Sequence, residues 1–220
     1  LGVLSFDTVT IHDAGDKDKY LIVAKYPFLN SGIPKPARTK INNTLKDFVT
    51  KNVSNAKNDF EELLSDNVIS DSVDLDYASI ASIKNDFNKL SVLNVIFETY
   101  YYAGGAHGIS TAETFSFDAF SGKKLALSDI FVGDYLKKLS VLSLKAIKAK
   151  DPNLETFIFA EDGTKANADN FHSFVLESDG IRIIFGDYQV APYSVGGSDV
   201  LLPYKDLTEN LSEKFKLMMR

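Results

Sequence analysis

A glycine-dense loop between two alternating stretches constrains the fold of this chain more than any other feature. The loop contains Gly104, Gly105 and Gly108 with a single histidine, His107. Glycines at this density indicate backbone that adopts positive φ or packs too closely for a Cβ atom. Apolar and polar residues alternate on both sides of the loop, which is the period of a strand. The pattern predicts an antiparallel hairpin with the His107 loop at its end.

The two alternating stretches are residues 90–102 and residues 111–118. In the first, one face carries Leu93, Val95, Phe97, Thr99 and Tyr101, and the opposite face carries Asn94, Ile96, Glu98, Tyr100 and Tyr102. The three consecutive tyrosines therefore cannot all point the same way. They fit ordinary sheet packing, or a stacking platform for sugars or a protein partner in which Tyr102 contributes to binding.

The remaining apolar patterns predict three helices. In residues 41–65, apolar side chains recur at spacings of three, four and seven, which predicts a long helix followed by a turn-rich segment at 66–76. Residues 134–150 have the same periodicity, and a shorter apolar stripe over residues 207–218 predicts a third helix. Further strands are predicted at residues 3–11, 20–26, 171–176, 181–185 and 200–202.

This order of elements predicts an α+β fold, with an antiparallel sheet packed by about three helices, rather than a βαβ series. We expect two closely joined subdomains. The first, residues 1–115, contains strands and the long helix, and the second comprises residues 116–220.

The composition excludes several classes of partner and site. The formal net charge is −6, and no cluster of lysine and arginine is present, so nucleic acid is not expected as a partner. The acidity favours encounter with a cationic protein or peptide. The chain has no cysteine, which rules out disulfides, thiolate metal sites and cysteine nucleophiles. No apolar run approaches the roughly 18 residues of a membrane span, so no span is expected in this chain.

His107 fits three roles: general base, metal ligand or structural residue. His12 and His172 lie far away in sequence, and no metal-binding spacing is present, so neither a metal nor a cofactor is expected. No Gly-x-Ser-x-Gly motif accompanies the histidine, and no catalytic motif is found. The sequence favours an imidazole that bonds the backbone of its own loop, so that Gly104, Gly105, His107 and Gly108 form a structural loop.

A second loop late in the chain carries a candidate binding residue. Pro192 and Tyr193 precede Gly196 and Gly197. Proline fixes φ and the glycines permit a sharp reversal, so the loop could hold Tyr193 outward as a binding anchor. A tyrosine folded back over the sheet fits the sequence equally well.

Several acidic residues accompany the predicted strands: Glu98, Glu113, Asp118 and Asp187. Paired carboxylates perform glycoside hydrolysis, so these residues invite a glycosidase hypothesis. Solvated strand faces are the simpler interpretation, because acidic residues are abundant throughout the chain.

Three motifs together resemble a known family. They are Tyr-x-Gly-Gly-Ala-His-Gly at residues 102–108, Phe-Asp-x-x-Ser-Gly-Lys-Lys-Leu-x-Leu-x-Asp-Ile-Phe at 117–131, and Asp-Tyr-Gln-Val-Ala-Pro-Tyr-Ser-x-Gly with Leu-Pro-Tyr-Lys-Asp-Leu at 187–207. They resemble the extracytoplasmic domain of RsiV-type anti-sigma factors and the non-catalytic N-terminal module of PdaC-type peptidoglycan deacetylases. Residues 1–115 resemble the PdaC-like part, and residues 116–220 the RsiV-like part.

The resemblance implies an extracytoplasmic binding or sensing module of the bacterial envelope, exported or membrane-anchored as in the family's lipoproteins. Its implied partners are lysozyme or peptidoglycan fragments, with Pro192, Tyr193, Tyr102 and His107 as the candidate binding residues. The numbering opens at Leu1 rather than Met, so we expect a targeting segment to have been lost. Two alternatives stay open: a cell-wall hydrolase that uses His107 with a carboxylate such as Glu113, and a structural accessory domain of a larger envelope protein.

Overall fold

The structure of the protein is a computed structural model that describes residues 1–15, 18–65 and 75–219. The strands within these residues are β1 (Ser5–Asp13), β2 (Tyr20–Ser31), β3 (Leu75–Asn85), β4 (Val92–Tyr102), β5 (Ile109–Asp118), β6 (Phe174–Leu176), β7 (Gly180–Phe185) and β8 (Ser198–Pro203). The α-helices are α1 (Lys35–Ser65), α2 (Leu127–Ile130), α3 (Tyr135–Lys150), α4 (Ala160–Gly163) and α5 (Glu213–Lys216).

The strands form two sheets. Strands β1 to β5 make a five-stranded sheet in chain order, and β6, β7 and β8 make a three-stranded sheet. The α+β class is confirmed. The expectation of a wholly antiparallel sheet needs one correction, because β2 and β3 pair in parallel. The connection between them contains α1, whose 31 residues return the chain to the end of the sheet from which β2 started.

The predicted hairpin is confirmed. Strands β4 and β5 pair antiparallel from Val92 opposite Asp118 to Tyr101 opposite Ile109. The loop of residues 103–108 joins them, as the glycines indicated.

Helix α1 covers one face of the five-stranded sheet. Phe48 on α1 packs between Phe97 of β4 and Phe115 of β5, with its ring centroid 4.9 Å from each of theirs. Further along the helix, Phe60 stacks on Tyr101 with a centroid separation of 5.3 Å. Each such side chain, when fully buried, stabilises the fold by about 1.5–3 kcal/mol. The apolar face predicted for β4 is therefore the face that meets α1.

The second sheet has its own apolar core. Ile181, Ile183 and Phe185 of β7 are buried, together with Leu139 and Ile147 of α3. Val92, the first residue of β4, and Leu90, two residues before it, belong to this core too. The predicted division between residues 115 and 116 stays a prediction.

Buried polar side chains join the two sheets. Asn94 of β4 is 3% exposed, and its Nδ2 donates to the carbonyls of Leu176 (2.9 Å) and Lys84 (3.2 Å). Its Oδ1 accepts hydrogen bonds from Leu176 N (3.1 Å) and Ser116 Oγ (2.7 Å). All four hydrogen-bonding positions of the amide are therefore used. A neighbouring bond from Phe174 N to Thr114 Oγ1, at 2.8 Å, links β6 to β5.

Two expectations about the strands need correction. Strand β2 continues beyond residue 26 and through Pro27. Past Lys25 it no longer pairs with β3, so the missing proline N–H costs no hydrogen bond on that side. Strand β3 was not expected from the sequence, although it alternates. The turn-rich segment predicted at 66–76 lies outside the described residues as far as residue 74.

The predicted helix at 207–218 is wrong for most of its length. Only α5 is α-helical there, and short 3-10 turns precede it at Tyr204–Asp206 and Thr208–Asn210. The backbone at Leu211 is extended because Leu211 pairs with Phe131 and Ser212 N donates to the carbonyl of Ile130. These tertiary bonds replace the helical ones. None of the helices in the described residues combines the length and apolarity that a membrane span requires.

Candidate binding site at the aromatic stack and the cleft between the sheets

Three aromatic rings from two loops form a stack. The imidazole of His107 lies on the ring of Tyr193, with centroids 3.8 Å apart and planes 13° apart. Tyr188 continues the stack at 5.9 Å from Tyr193, with a plane angle of 27°. His107 comes from the β4–β5 loop (residues 103–108), and both tyrosines come from the β7–β8 loop (residues 186–197). The structure thus brings together two of the predicted binding residues.

The β4–β5 loop has the backbone that its glycines indicated. Gly104 and Gly105 have φ values of +88° and +104°, a region that side chains with a Cβ rarely adopt. Tyr102 Oη donates to the carbonyl of Gly105 at 3.0 Å, and His107 Nδ1 lies 2.9 Å from the carbonyl oxygen of Gly108. The predicted bond from the imidazole to its own loop is therefore present, but the imidazole itself is exposed.

The β7–β8 loop is held from behind by Gln189. Its Nε2 donates to the carbonyls of Gly163 (3.2 Å) and Asn170 (3.0 Å), and its Oε1 accepts from Gly186 N at 3.2 Å. The following residues, Val190 and Ala191, are buried. The loop is therefore anchored to the body of the protein beneath the aromatic stack.

Tyr188 and Tyr193 stand on this anchored backbone. Tyr188 is 52% exposed and has a φ of +62°, which costs a non-glycine residue about 1 kcal/mol or more. Pro192 has a φ of −61° and begins the 3-10 turn Tyr193–Val195. Tyr193 is partly buried between the other two rings, so it neither projects freely nor folds back over the sheet.

A cleft of about 530 Å³ adjoins the stack. It lies between the face of the five-stranded sheet that is turned away from α1 and strands β7 and β8. Its apolar wall includes Ile80, Ile96, Tyr100 and Ile184, and its charged lining consists of Lys84, Glu98, Arg182, Asp187 and Asp199. Tyr100 and Asp187 connect the cleft to the two loops: a Cβ on Gly108 would lie 2.4 Å from the Tyr100 ring, and Ser110 N donates to Asp187 Oδ2 at 3.2 Å.

The guanidinium of Arg182 is already engaged by protein carboxylates. Its Nε and Nη2 donate to the two oxygens of Glu177 at 2.6 and 3.1 Å, and its Nη1 donates to Asp199 Oδ2. These hydrogen bonds, those to Glu177 first, raise the pKa of Arg182 above its ordinary value. Arg182 is therefore fixed in the wall of the cleft as a bound cation.

The structure does not bring His107 and Glu113 together. Glu113 lies opposite Phe97 on the α1 side of the sheet, and its Oε1 is 4.0 Å from Lys124 Nζ. Lys124 Nζ in turn lies 3.9 Å from the centroid of the Phe115 ring. Among residues 1–15, 18–65 and 75–219, no group of three or more histidine, aspartate or glutamate side chains is placed to hold a metal ion.

Sequence reasoning missed Tyr188 and the cleft. Tyr188 follows the strand β7 within the motif Asp187-Tyr188-Gln189, but nothing in that motif indicates its positive φ. Ile96 and Glu98 were assigned to the correct face of β4. That β7 and β8 form a wall opposite this face depends on how the second sheet docks, which the periodicity of β4 does not encode.

Comparisons of sequence place two family regions along the chain. Residues 14–110 match the family model described as deacetylase PdaC, and residues 128–205 match that of a protein of unknown function (DUF3298). The peptidoglycan-N-acetylmuramic acid deacetylase PdaC of Bacillus subtilis (strain 168) is 26% identical over 179 residues, which is 80% of this chain. The chain spans 37% of the length of that deacetylase.

Solved structures share the fold. A DUF3298 family member from Bacteroides fragilis NCTC 9343 has a TM-score of 0.71 at 21% identity, covering 97% of this chain and 95% of its own. A DUF3298 family protein from Pseudomonas aeruginosa PAO1 has a TM-score of 0.57 at 15% identity, covering 98% and 96%. Both likenesses concern the fold alone.

The aromatic stack lies where the two matched regions meet. His107 falls within the PdaC match, and Tyr188 and Tyr193 fall within the DUF3298 match. The expected resemblance to a PdaC-type module is confirmed by these matches, whereas the likeness to RsiV-type proteins stays a prediction. The matches divide the chain into residues 14–110, which are similar to PdaC, and residues 128–205, which are similar to DUF3298.

Proposed function

We propose that this chain is a non-catalytic, extracytoplasmic binding module of the bacterial envelope, and that it recognises cell-wall glycan. The matches to PdaC and DUF3298 point to an envelope-associated module. The related Bacillus deacetylase acts on peptidoglycan by its name, and this chain corresponds to little more than a third of it. The chain would contribute binding rather than chemistry.

The observation that carries the proposal is the aromatic stack beside the cleft. Aromatic faces offer apolar platforms, and the rings of His107 and Tyr188 both contact the ring of Tyr193. The adjoining cleft of about 530 Å³ falls within the usual size range of ligand sites. A sugar packed on the rings would extend into the cleft, where charged side chains line the wall and can meet its hydroxyls.

Calorimetric titration with muropeptides and with tetra-N-acetylchitotetraose tests this proposal. Tyr193→Ala should weaken binding by about 1–2 kcal/mol, because it removes the central ring of the stack. Its melting temperature should stay close to that of the unchanged protein. Phe120→Ala is the matched control, since Phe120 is 52% exposed but lies in the turn after β5. Equal binding by both variants would contradict the proposal.

Lysozyme is a second candidate partner. The net charge of −6 would steer a strongly basic protein toward the chain, and Pro192 and Tyr193 would be contact residues at the exposed end of the β7–β8 loop. The association should weaken as ionic strength rises. Titration with lysozyme decides this candidate, and an absence of heat with both lysozyme and muropeptides would remove the main support for a binding module.

The hydrolase and accessory-domain alternatives predict different results. A hydrolase would degrade peptidoglycan and would lose activity in His107→Ala. Glu113 lies away from the stack, near Lys124, so it does not serve as the carboxylate partner of His107. An accessory domain would bind none of the probes.

A further inference from the structure

We propose that the cleft between the sheets binds a primary ammonium group of a cell-wall fragment, with the Glu98 carboxylate as its counter-charge. The inference rests on the proposed function and names the chemistry that the site selects. Two sources supply such a group: a sugar from which the N-acetyl group has been removed, and the diamino acid of a peptidoglycan stem peptide. The acetylated sugar lacks the charge.

The register of the sheet places Glu98 in an apolar row. Ile80 of β3 lies opposite Glu98 on one side, and Ala112 of β5 lies opposite it on the other. Ile80 is 52% exposed, so the row is open to a ligand. Within the part of the chain that the structure describes, no hydrogen bond or ion pair engages the Glu98 carboxylate. An exposed anion on an apolar surface is suited to a ligand that carries both an ammonium group and carbon–hydrogen faces.

The other charges of the cleft favour a cation over an anion. Asp187 and Asp199 share the lining with Glu98, against the two cations Lys84 and Arg182. Arg182 is bound by Glu177 and Asp199, so its positive charge is already matched. Counting Glu177, four carboxylates face two cations. The net charge of this group of side chains is therefore negative. Of its two cations, Lys84 alone is not neutralised by an ion pair within the described residues, so an anionic ligand would have a single cation to bind.

The cleft is continuous with the aromatic stack. Asp187 is adjacent in sequence to Tyr188, and Gly108, next to His107, packs against Tyr100 in the cleft wall. A glycan that stacks on the rings would therefore place a neighbouring sugar or its peptide substituent in the cleft. The stack would recognise the carbohydrate faces, and Glu98 would distinguish charged from acetylated forms.

Three probes and two variants test the inference. The probes are tetra-N-acetylchitotetraose, the glucosamine tetramer without acetyl groups, and an N-acetylated L-Ala-γ-D-Glu-L-Lys tripeptide, titrated in a mildly acidic buffer that keeps the amines protonated. Glu98→Gln removes the charge at constant size. Glu113→Gln is the matched control, because Glu113 lies on the α1 side of the sheet. Thermal melts establish that both variants fold.

The expected result is a preference for an amine-bearing probe in the unchanged protein. The preference should fall by about fivefold in Glu98→Gln, be unchanged in Glu113→Gln, and shrink as salt is added. Preference for the tetramer would identify the sugar as the source, and preference for the tripeptide would identify the stem peptide. Equal affinity for charged and acetylated probes, or a preference that survives in Glu98→Gln, would overturn the inference.

The two proposals fail separately in this experiment. Absence of binding to the acetylated tetramer, or binding that Tyr193→Ala leaves unchanged in the titration described above, would remove the glycan proposal. A Glu98-dependent preference for the tripeptide would still stand in that case and would assign the cleft to peptide amines. If the acetylated glycan binds through Tyr193 and Glu98→Gln has no effect, the glycan proposal stands and the ammonium site is ruled out.

Discussion

The two loops that build the aromatic stack are supported in different ways. The β7–β8 loop is fixed by three hydrogen bonds of Gln189 and by the burial of Val190 and Ala191. The β4–β5 loop is closed by local bonds, from Tyr102 to Gly105 and from His107 to Gly108, and its tip is exposed. One side of the stack is thus part of the folded core, whereas the other side can adjust with little cost.

Stability and binding are therefore divided unequally between the two loops of one site. Changes beneath the β7–β8 loop should alter the free energy of unfolding and binding together. Changes in the β4–β5 loop should alter binding with a smaller effect on folding.

Gly163→Val should produce the largest loss of stability. A Cβ at this position would lie 2.0 Å from the carbonyl oxygen of Gln189, and backbone cannot move aside as a side chain can. We expect a loss of about 3 kcal/mol or more in the free energy of unfolding, measured by urea denaturation.

Gly105→Val is the control for that change. Nothing lies within 4 Å of a Cβ on Gly105, but its φ of +104° would strain a valine. Strain alone should cost about 1–2 kcal/mol. Equal losses in the two variants would show that the loops are equally supported and would contradict the comparison.

Gln189→Ala should destabilise the protein by about 1–3 kcal/mol. The variant leaves the carbonyls of Gly163 and Asn170 without their donor in a partly buried environment. Affinity for tetra-N-acetylchitotetraose should fall as well, because Tyr188 and Tyr193 lose their support. Calorimetry and denaturation on the same samples measure both effects, and unchanged binding would mean that the stack does not depend on this anchor.

His107→Ala should have a much smaller effect on stability, about 0.5 kcal/mol or less. Its imidazole is exposed, and the Gly108 carbonyl can exchange its bond for one to water. Binding to the tetramer should nevertheless weaken, because the variant removes the exposed aromatic surface at one end of the stack. His172→Ala is the control, because His172 is exposed and its Nδ1 also lies near a backbone oxygen, that of Asp169. A large loss of stability in His107→Ala that His172→Ala does not share would show that His107 is a structural residue.

The smallest expected effect is a response to acid behind the β7–β8 loop. Thr156 N donates to Asp151 Oδ2 at 2.7 Å, and this bond lowers the pKa of Asp151 below its ordinary value. Because the pKa is lower in the folded protein, the bond stabilises the fold above the ordinary carboxyl pKa of about 3.9 and is lost as the pH falls through the folded value. Phe159, in the same segment, donates its N–H to the carbonyl of Val190.

Thermal melts of the unchanged protein and Asp151→Asn measure this response. The melting temperatures should differ slightly near neutral pH and converge in acid. Asp134→Asn serves as the control, because the Asp134 carboxylate pairs with Lys137 at an exposed site far from the loop in sequence. A difference that persists in acid would show that the bond does not depend on the charge of Asp151.

The hairpin and the long helices could be predicted from sequence because their signals are local. Alternation from Leu93 to Tyr101 defined two faces of one strand, and the apolar spacing of 41–65 defined one face of a helix. The glycines at 104 and 105 located the loop between the strands. Each of these patterns needs no knowledge of what the element packs against.

The rest depends on contacts that are distant in sequence. The parallel pairing of β2 with β3 follows from the path of α1, and the extended backbone at Leu211 follows from its pairing with Phe131. His107 and Tyr193 were each singled out, but their stacking could not be foreseen from two separate loops. The cleft around Glu98 arises only when the second sheet docks through β6, which places β7 and β8 opposite the outer face of β4.

The junction at Asn94 has a consequence for recombination between modules. Its amide group is matched to the backbone of Leu176 and Lys84, so the PdaC region presents a template that only one arrangement of β6 satisfies. Exchange of the DUF3298 region for one with a shifted β6 would leave two of the four hydrogen-bonding positions of this buried amide without partners. A chimaera should therefore be more stable when it inherits Asn94 together with its complementary strand.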